Sequence, residues 1–309
     1  MFRYGYLPYS FAALLGVLIA AWTLLASSGS WVNSVYSERI YRRVAAVVVP
    51  VSDAVPFSLT GLSVALLLTV VPFFVVRSWR RRQGLWRFAL LWCWRSVAAS
   101  LVIYALFLAT WGANYSRSPL ETRTTLELAP ATTQEMTELT LSLAQIVADN
   151  AHAAHSPNLS AAFWAGKASL RNVIRDFEGQ EVTLPSRVKA TPPGLLILGG
   201  QATGVISPFW LEAHVDGALP DYNFLAVGLH ELAHVAGYSS EAETDFVAAV
   251  AGLQADDPYV RYSMALSLFA RFAWRLPGDA YGAAYDLLPQ VALDDLAERQ
   301  RVRLKYRPP

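Results

Sequence analysis

The sequence predicts an α-helical membrane anchor with three transmembrane helices, joined to a mainly α, α+β domain with a small sheet. Three observations lead to that expectation. The chain is 54% hydrophobic and only 16% charged, with a mean hydropathy of +0.31, too apolar and too poor in charge for an ordinary soluble domain. Its long apolar runs crowd into residues 1–112. Residues 113–309 change character, to capping signals, amphipathic stretches and short β-branched runs.

The anchor comes first. Leu7 to Ser27 is an apolar run flanked by Arg3, Tyr4 and Tyr6, long enough to cross the hydrocarbon core. A cleaved signal peptide is the alternative, given the small residues at Ala26 to Gly29. The second span is expected over 59–76, with Pro72 tolerated as a kink, and the third over 88–111. Arg95 interrupts the third and is read as snorkelling to the interface beside Trp92 and Trp94. The loop between spans two and three carries Arg77, Arg80, Arg81, Arg82 and Arg87 with no acid. By the positive-inside rule it faces the cytoplasm. The amino terminus is then cytoplasmic, and residues after Trp111 form a domain outside the cell (inner) membrane. The loop from about Gly29 to Ser58 holds Val35, Ile40, Val44, Val47 and Val48 as an apolar stripe, which suggests a helix along the outer interface.

In the second domain, Thr132 and Glu135 have capping-box spacing ahead of a helix to about Ala151. His152 and His155 are read as exposed helix-end histidines. A helix is expected over Leu159 to Phe177, and short strands at Val182 to Leu184 and Leu195 to Leu198. Gly204 to Val215 reads as one extended edge strand, marked by Pro208. Asp256-Asp257-Pro258 breaks one helix before another, Tyr259 to Leu276, and Leu287 to Leu304 is a charged amphipathic tail.

The chemistry lies in Leu225 to Phe246. His230-Glu231-Leu232-Ala233-His234 is an HExxH pattern. Two histidines four apart on a helix face one side, the spacing by which one rigid element offers two ligands to Zn²⁺. Glu231 beside them is placed to act as the general base. Asp221 is a plausible N-cap, and Gly237 suits a left-handed helix end. A third ligand is still needed. Ser240 and Glu243 have capping-box spacing, which gives Glu243 a structural task and leaves Glu241 as the expected ligand, with Glu243 the alternative. Asp245, four past Glu241, would support a ligand histidine from behind. This is the gluzincin arrangement; a metzincin histidine would fall at Ser240. The domain is therefore expected to be zincin-like. Glu212 and His214 share one face of the extended stretch and are candidates to touch substrate or an oxyanion. Arg261 and Tyr262 are candidate transition-state stabilisers. In all, Glu231, Tyr262 and His214 are expected to be catalytic, and Glu212 and Arg261 to bind substrate.

Several stretches carry a resemblance: Tyr36-Ser37 through Ile40-Tyr41, Pro56-Phe57-Ser58, Trp111 to Arg117, Gly204 to Phe209 with Glu212, His230 to Gly237, Glu241 to Phe246, and Arg261-Tyr262-Ser263. On these the chain resembles an uncharacterised family of bacterial membrane proteins, known as a domain of unknown function, with three amino-terminal spans and an extracytoplasmic HExxH domain. It departs at Thr244, where Ala is expected, and at Trp210, where a small polar residue is expected. More distantly it is similar to membrane-embedded gluzincin proteases of the CAAX-processing and heat-shock kind.

The function these readings imply is a membrane-anchored zinc metallopeptidase acting on a peptide or protein substrate. Another divalent metal would also suit a site of two histidines and a glutamate. An inactive peptidase-like domain that binds an envelope protein or peptide is the alternative. The net charge of +1 and the lack of a basic, aromatic-interleaved motif point away from nucleic acid. With Cys93 alone, there is no disulfide framework.

Overall fold

The computed structural model describes residues 16–17, 19–20, 22–24, 27–81 and 84–307. The chain divides into two units: Met1–Ser118 with Ser207–Leu211, and Pro119–Ile206 with Glu212–Pro309.

In the first unit, a π-helical segment Val32–Tyr41 runs into α1, Arg42–Asp53. Tyr36, Tyr41, Ala45, Val49 and Ser52 recur every three to five residues and make its buried face. Two apolar helices follow, α2 (Leu59–Arg80) and α3 (Leu85–Thr110). Ser58 caps α2, its hydroxyl accepting from Gly61 N–H at 2.8 Å. At 1.5 Å per residue these helices measure roughly 33 and 39 Å, enough for a hydrocarbon core of about 30 Å. No residue of α2 is buried, and Leu108 alone of α3 is, so their apolar side chains face outward. The guanidinium of Arg95 lies over the Trp92 ring, 5.3 Å from its centroid. Residues before α2 clasp the end of α3 and the residues after it: Tyr36 OH donates to Ala109 C=O at 3.3 Å, and Ser37 Oγ to Asn114 Oδ1 at 2.9 Å. The indole N–H of Trp210 donates to Ser63 Oγ at 3.0 Å.

The expectation of three spans is corrected to two. Among the described residues only α2 and α3 are long and apolar enough to cross a membrane. Most of the run 7–27, and with it the amino terminus, lies outside the described residues. α2 and α3 are continuous helices with unburied apolar faces.

The second unit is mainly helical. Its elements are α4 (Thr133–Asn150), α5 (Leu159–Glu178), β1 (Lys189–Thr191), α6 (Leu195–Gly200), β2 (Gly204–Ser207, its last residue in the first unit), β3 (Glu212–Asp216), α7 (Asp221–Val235), α8 (Glu241–Leu253), α9 (Pro258–Phe272), α10 (Gly278–Asp286) and α11 (Gln290–Lys305). The capping box at Thr132 and Glu135 forms as expected. The sheet order is β1-β3-β2, with β1 parallel to β3 and Lys189 opposite His214. α7 packs against α5, α8, α9 and β3. Its Leu229 and Leu232 are fully buried, as are Leu170, Val247, Leu266 and Phe269 of the helices around it. Each such side chain contributes about 1.5–3 kcal/mol of burial, which makes the rigid base on which the HExxH residues stand.

Two expected strands are absent. Val182 to Leu184 is irregular, and Leu195 to Leu198 begins α6. The cause of the second lies twenty residues on, where the fully buried Asp216 carboxylate accepts from the N–H groups of Gly194, Leu196, Ile197 and Ala218 at 2.6–3.3 Å. Gly194 takes the left-handed conformation, φ +80°, that starts the turn. Gly204 to Val215 is two strands, β2 and β3, because the chain turns at 208–211 with Leu211 at φ +50°.

Candidate metal centre

The first residue of α7 is Asp221, with Pro220 and not Asp221 at its N-cap; the carboxylate still favours the positive helix end. One turn separates His230 from His234. The helix stops where Gly237 adopts φ +102°, and the chain reverses into α8, bringing Glu241 back toward both rings. His230 Nε2 lies 3.2 Å from Glu241 Oε2, and His234 Nε2 lies 3.4 Å from Glu241 Oε1. One ligand atom from each of the three residues falls within 4.8 Å of the others. Tetrahedral zinc, with bonds of 2.0–2.2 Å, places its ligands about 3.3 Å apart. The Glu241 side chain is 78% exposed, which leaves one side of the cluster open to water.

Both rings are held from behind. His230 Nδ1 lies 2.9 Å from Asp245 Oδ1, and His234 Nδ1 lies 2.7 Å from the Tyr238 carbonyl. A carboxylate and a carbonyl only accept, so each Nδ1 carries a proton, and in the neutral ring Nε2 is left with its lone pair. With both rings neutral, two lone pairs and a carboxylate face one another at a range that a cation can bridge. The donor set therefore fits a divalent metal.

Electrostatics follow the same layout. Burial depresses the His230 pKa, but Asp245, Glu231 and Glu241 outweigh burial and the net shift is upward. Burial and the neighbouring His230 lower that of His234. Asp245 resists its own partial burial and is held down to about 2 by His230 and Arg271. Glu231 is pushed up to about 8, by burial and then Glu241, against the pull of His230. Its Oε2 is buried with no hydrogen-bond partner among the described residues. Gly204 of β2 passes so close that a Cβ there would strike the Glu231 carboxyl.

Residues 36–309 match the family described as a protein of unknown function (DUF3810). The chain belongs to that family. No curated protein and no solved structure matches it.

Elsewhere in this family member, the structure redirects several expected residues. Tyr262 is fully buried; its hydroxyl donates to Asp295 Oδ2 at 2.7 Å and its ring stacks on Tyr259. Arg261 donates to Asn150 Oδ1 at 3.1 Å and to the Ala255 and Asp256 carbonyls at 2.6 and 2.9 Å, fastening the turn before α9. These are packing roles, and neither residue joins the histidine cluster. Glu212 and His214 do share a face of β3, but that face is buried: Glu212 Oε1 meets Lys189 Nζ at 2.5 Å, and Glu212 Oε2 lies 3.5 Å from His214 Nε2. Burial lowers the His214 pKa, although Glu212 opposes it. Ser240 makes no side-chain cap, and Glu243 accepts from Leu120 N–H and Arg123 in place of the expected capping box.

Sequence reasoning missed three contributors. The Tyr238 carbonyl is backbone and carries no side-chain signal. Arg271, which pairs with Asp245, reads in sequence only as a charge interrupting an apolar helix. Thr244, the departure from Ala, is fully buried, its hydroxyl 3.3 Å from His234 Nδ1 and donating to Tyr238 and Ser240 carbonyls at 3.1 and 2.7 Å. A small hydroxyl bracing that turn is what the position accommodates.

Proposed function

We propose that this protein is a membrane-anchored, zinc-dependent metallopeptidase. The observation that carries the reading is the convergence of His230, His234 and Glu241, with both histidine Nδ1 atoms already tied and Glu231 alongside. Zinc held by these three residues would polarise a peptide carbonyl and ease deprotonation of water. Glu231 takes the proton from the attacking water and delivers it to the departing amide nitrogen. Its raised pKa suits it to hold that proton between the two transfers. β2 is an outer strand of the sheet and Gly204 lies against Glu231. A peptide adding to β2 as a further strand would thus run past the base.

The arginine-rich segment 77–87 between α2 and α3 supports a cytoplasmic position for that connection. The segment 32–58 and the residues after Thr110 then share the outer side, in keeping with the clasp between Tyr36-Ser37 and Ala109–Asn114. The catalytic unit is accordingly extracytoplasmic.

Elemental analysis and a peptide library test the proposal together. Purified wild type should carry one equivalent of zinc or a related divalent ion, lost in His230→Ala and Glu241→Ala. Glu231→Gln should keep the metal and lose hydrolysis by about 10²–10⁴-fold. A metal-free wild type sinks the metal site. A loaded but inert wild type would leave the peptide-binding alternative, and undiminished hydrolysis in Glu231→Gln removes the base assignment.

A further inference from the structure

The metal-binding turn is gripped from outside the HExxH block, by residues 120–123 at the start of the second unit. Arg123 is nearly buried and reaches three groups. One guanidinium nitrogen pairs with Glu178 at the end of α5, and Nη2 pairs with Glu243 Oε2 at 3.0 Å. The guanidinium carbon lies 5.9 Å from the centroid of the Tyr238 ring. The second Glu243 oxygen accepts from Leu120 N–H at 2.8 Å, and Leu120 itself is buried.

Two of these contacts, those to Tyr238 and Glu243, fall within the turn and first helical turn that carry Glu241. Tyr238 supplies the carbonyl that fixes the His234 tautomer. Glu243 lies between Glu241 and Asp245 in the first turn of α8. That helix begins without a side-chain cap at Ser240, so the direction of its first turn rests on what holds Glu243 and Thr244. Thr244 braces the turn from within; Arg123 and Leu120 brace it from without.

We infer that Arg123 and Glu243 are positioning residues of the metal centre, clamping the turn 237–243 so that Glu241 and the Tyr238 carbonyl stay in register with the two histidines. The inference rests on the metal-site reading. A bidentate guanidinium suits the task, because its planar fork pairs with two carboxylates at fixed angles, while lysine offers a single point charge. The residues that orient metal ligands typically govern affinity by 10–100-fold. A clamp acting through the turn belongs at the lower end of that range.

The test measures zinc affinity of the full-length chain in detergent by chelator competition, with Asp245→Ala as the control that the assay resolves a lost supporting contact. Circular dichroism and thermal melting of the metal-free proteins run in parallel. Arg123→Ala is expected to weaken zinc binding about tenfold, and Arg123→Lys to fall between it and wild type. Cobalt-loaded Arg123→Ala should also show an altered visible spectrum, since the ligand geometry has relaxed. A purely structural role would lower the melting temperature of the metal-free protein and leave both affinity and spectrum unchanged. That outcome overturns the clamp, as does unaltered affinity in folded Arg123→Ala while Asp245→Ala is weakened. Should Arg123→Ala fail to fold, Arg123→Lys and Glu243→Gln are judged by the same affinity criterion. If wild type binds no metal, the metal-site reading falls and the clamp with it; wild-type binding insensitive to Arg123 overturns the clamp alone.

Discussion

Glu231 and Asp245 are both carboxylates within reach of His230, yet their surroundings drive them apart. Asp245 is engaged on each oxygen, by His230 Nδ1–H and by Arg271, and is held down to about 2; Glu231 is buried with one oxygen unpartnered among the described residues and rises to about 8. Divergence of this kind is what the proposed division of roles, Asp245 supporting a ligand and Glu231 acting as base, requires. The position of the Glu231 carboxyl depends on Gly204, because any Cβ there would push it aside. Gly204→Ala should retain its metal and lose peptidase turnover by at least about tenfold, the scale on which displaced catalytic groups lose rate. Full activity in that variant would show that Glu231 tolerates the shift. His214 gives a pH prediction. Its folded pKa lies below the ordinary value of 6.5 because burial disfavours the charged ring. The unfolded chain therefore takes up a proton first as pH falls below about 6.5. The stabilising contribution is complete above that pH and is lost as pH drops through the folded value. Melting temperatures at pH 7.5 and 5 should diverge less in His214→Gln than in wild type.

Among the elements, capping separates what local spacing can signal from what it cannot. Thr132 and Glu135 are three apart, and their box forms as the pattern predicts. Ser240 and Glu243 have the same spacing, but Arg123 and Leu120 N–H claim Glu243. A partner more than a hundred residues away leaves no mark on a local pattern. Asp216 acts in the same way on α6, converting a run that reads as strand into a helix by satisfying its first N–H groups. Two substitutions should separate sharply in denaturation midpoint. Thr132→Ala removes an exposed cap worth about 1 kcal/mol. Asp216→Ala strands several buried N–H groups and should cost about 3 kcal/mol or more. Equal effects would contradict the buried cap.

For the whole molecule, sidedness is the property that composition and topology address together. With Cys93 replaced by Ser, single cysteines can report it. A membrane-impermeant maleimide applied to intact cells should label Glu298→Cys, on α11, and should label Arg81→Cys only after the membrane is opened. The reverse pattern would place the candidate metal centre in the cytoplasm. What the sequence by itself determined is the chemistry confined to short range: an HExxH turn followed by a glutamate and an aspartate, within sixteen residues and two consecutive helices, whereas its three expected spans were one more than the two apolar helices found among the described residues. Helical periodicity and a glycine-ended turn suffice to bring those groups to one place. Only the tertiary structure decided which distant side chains serve them. Tyr262 and Arg261 went to packing, Glu212 and His214 to a buried ion cluster, Arg271 to Asp245, and Arg123 to Glu178 and Glu243. The reason is that burial and pairing depend on what other elements present, and that is settled only when the helices pack.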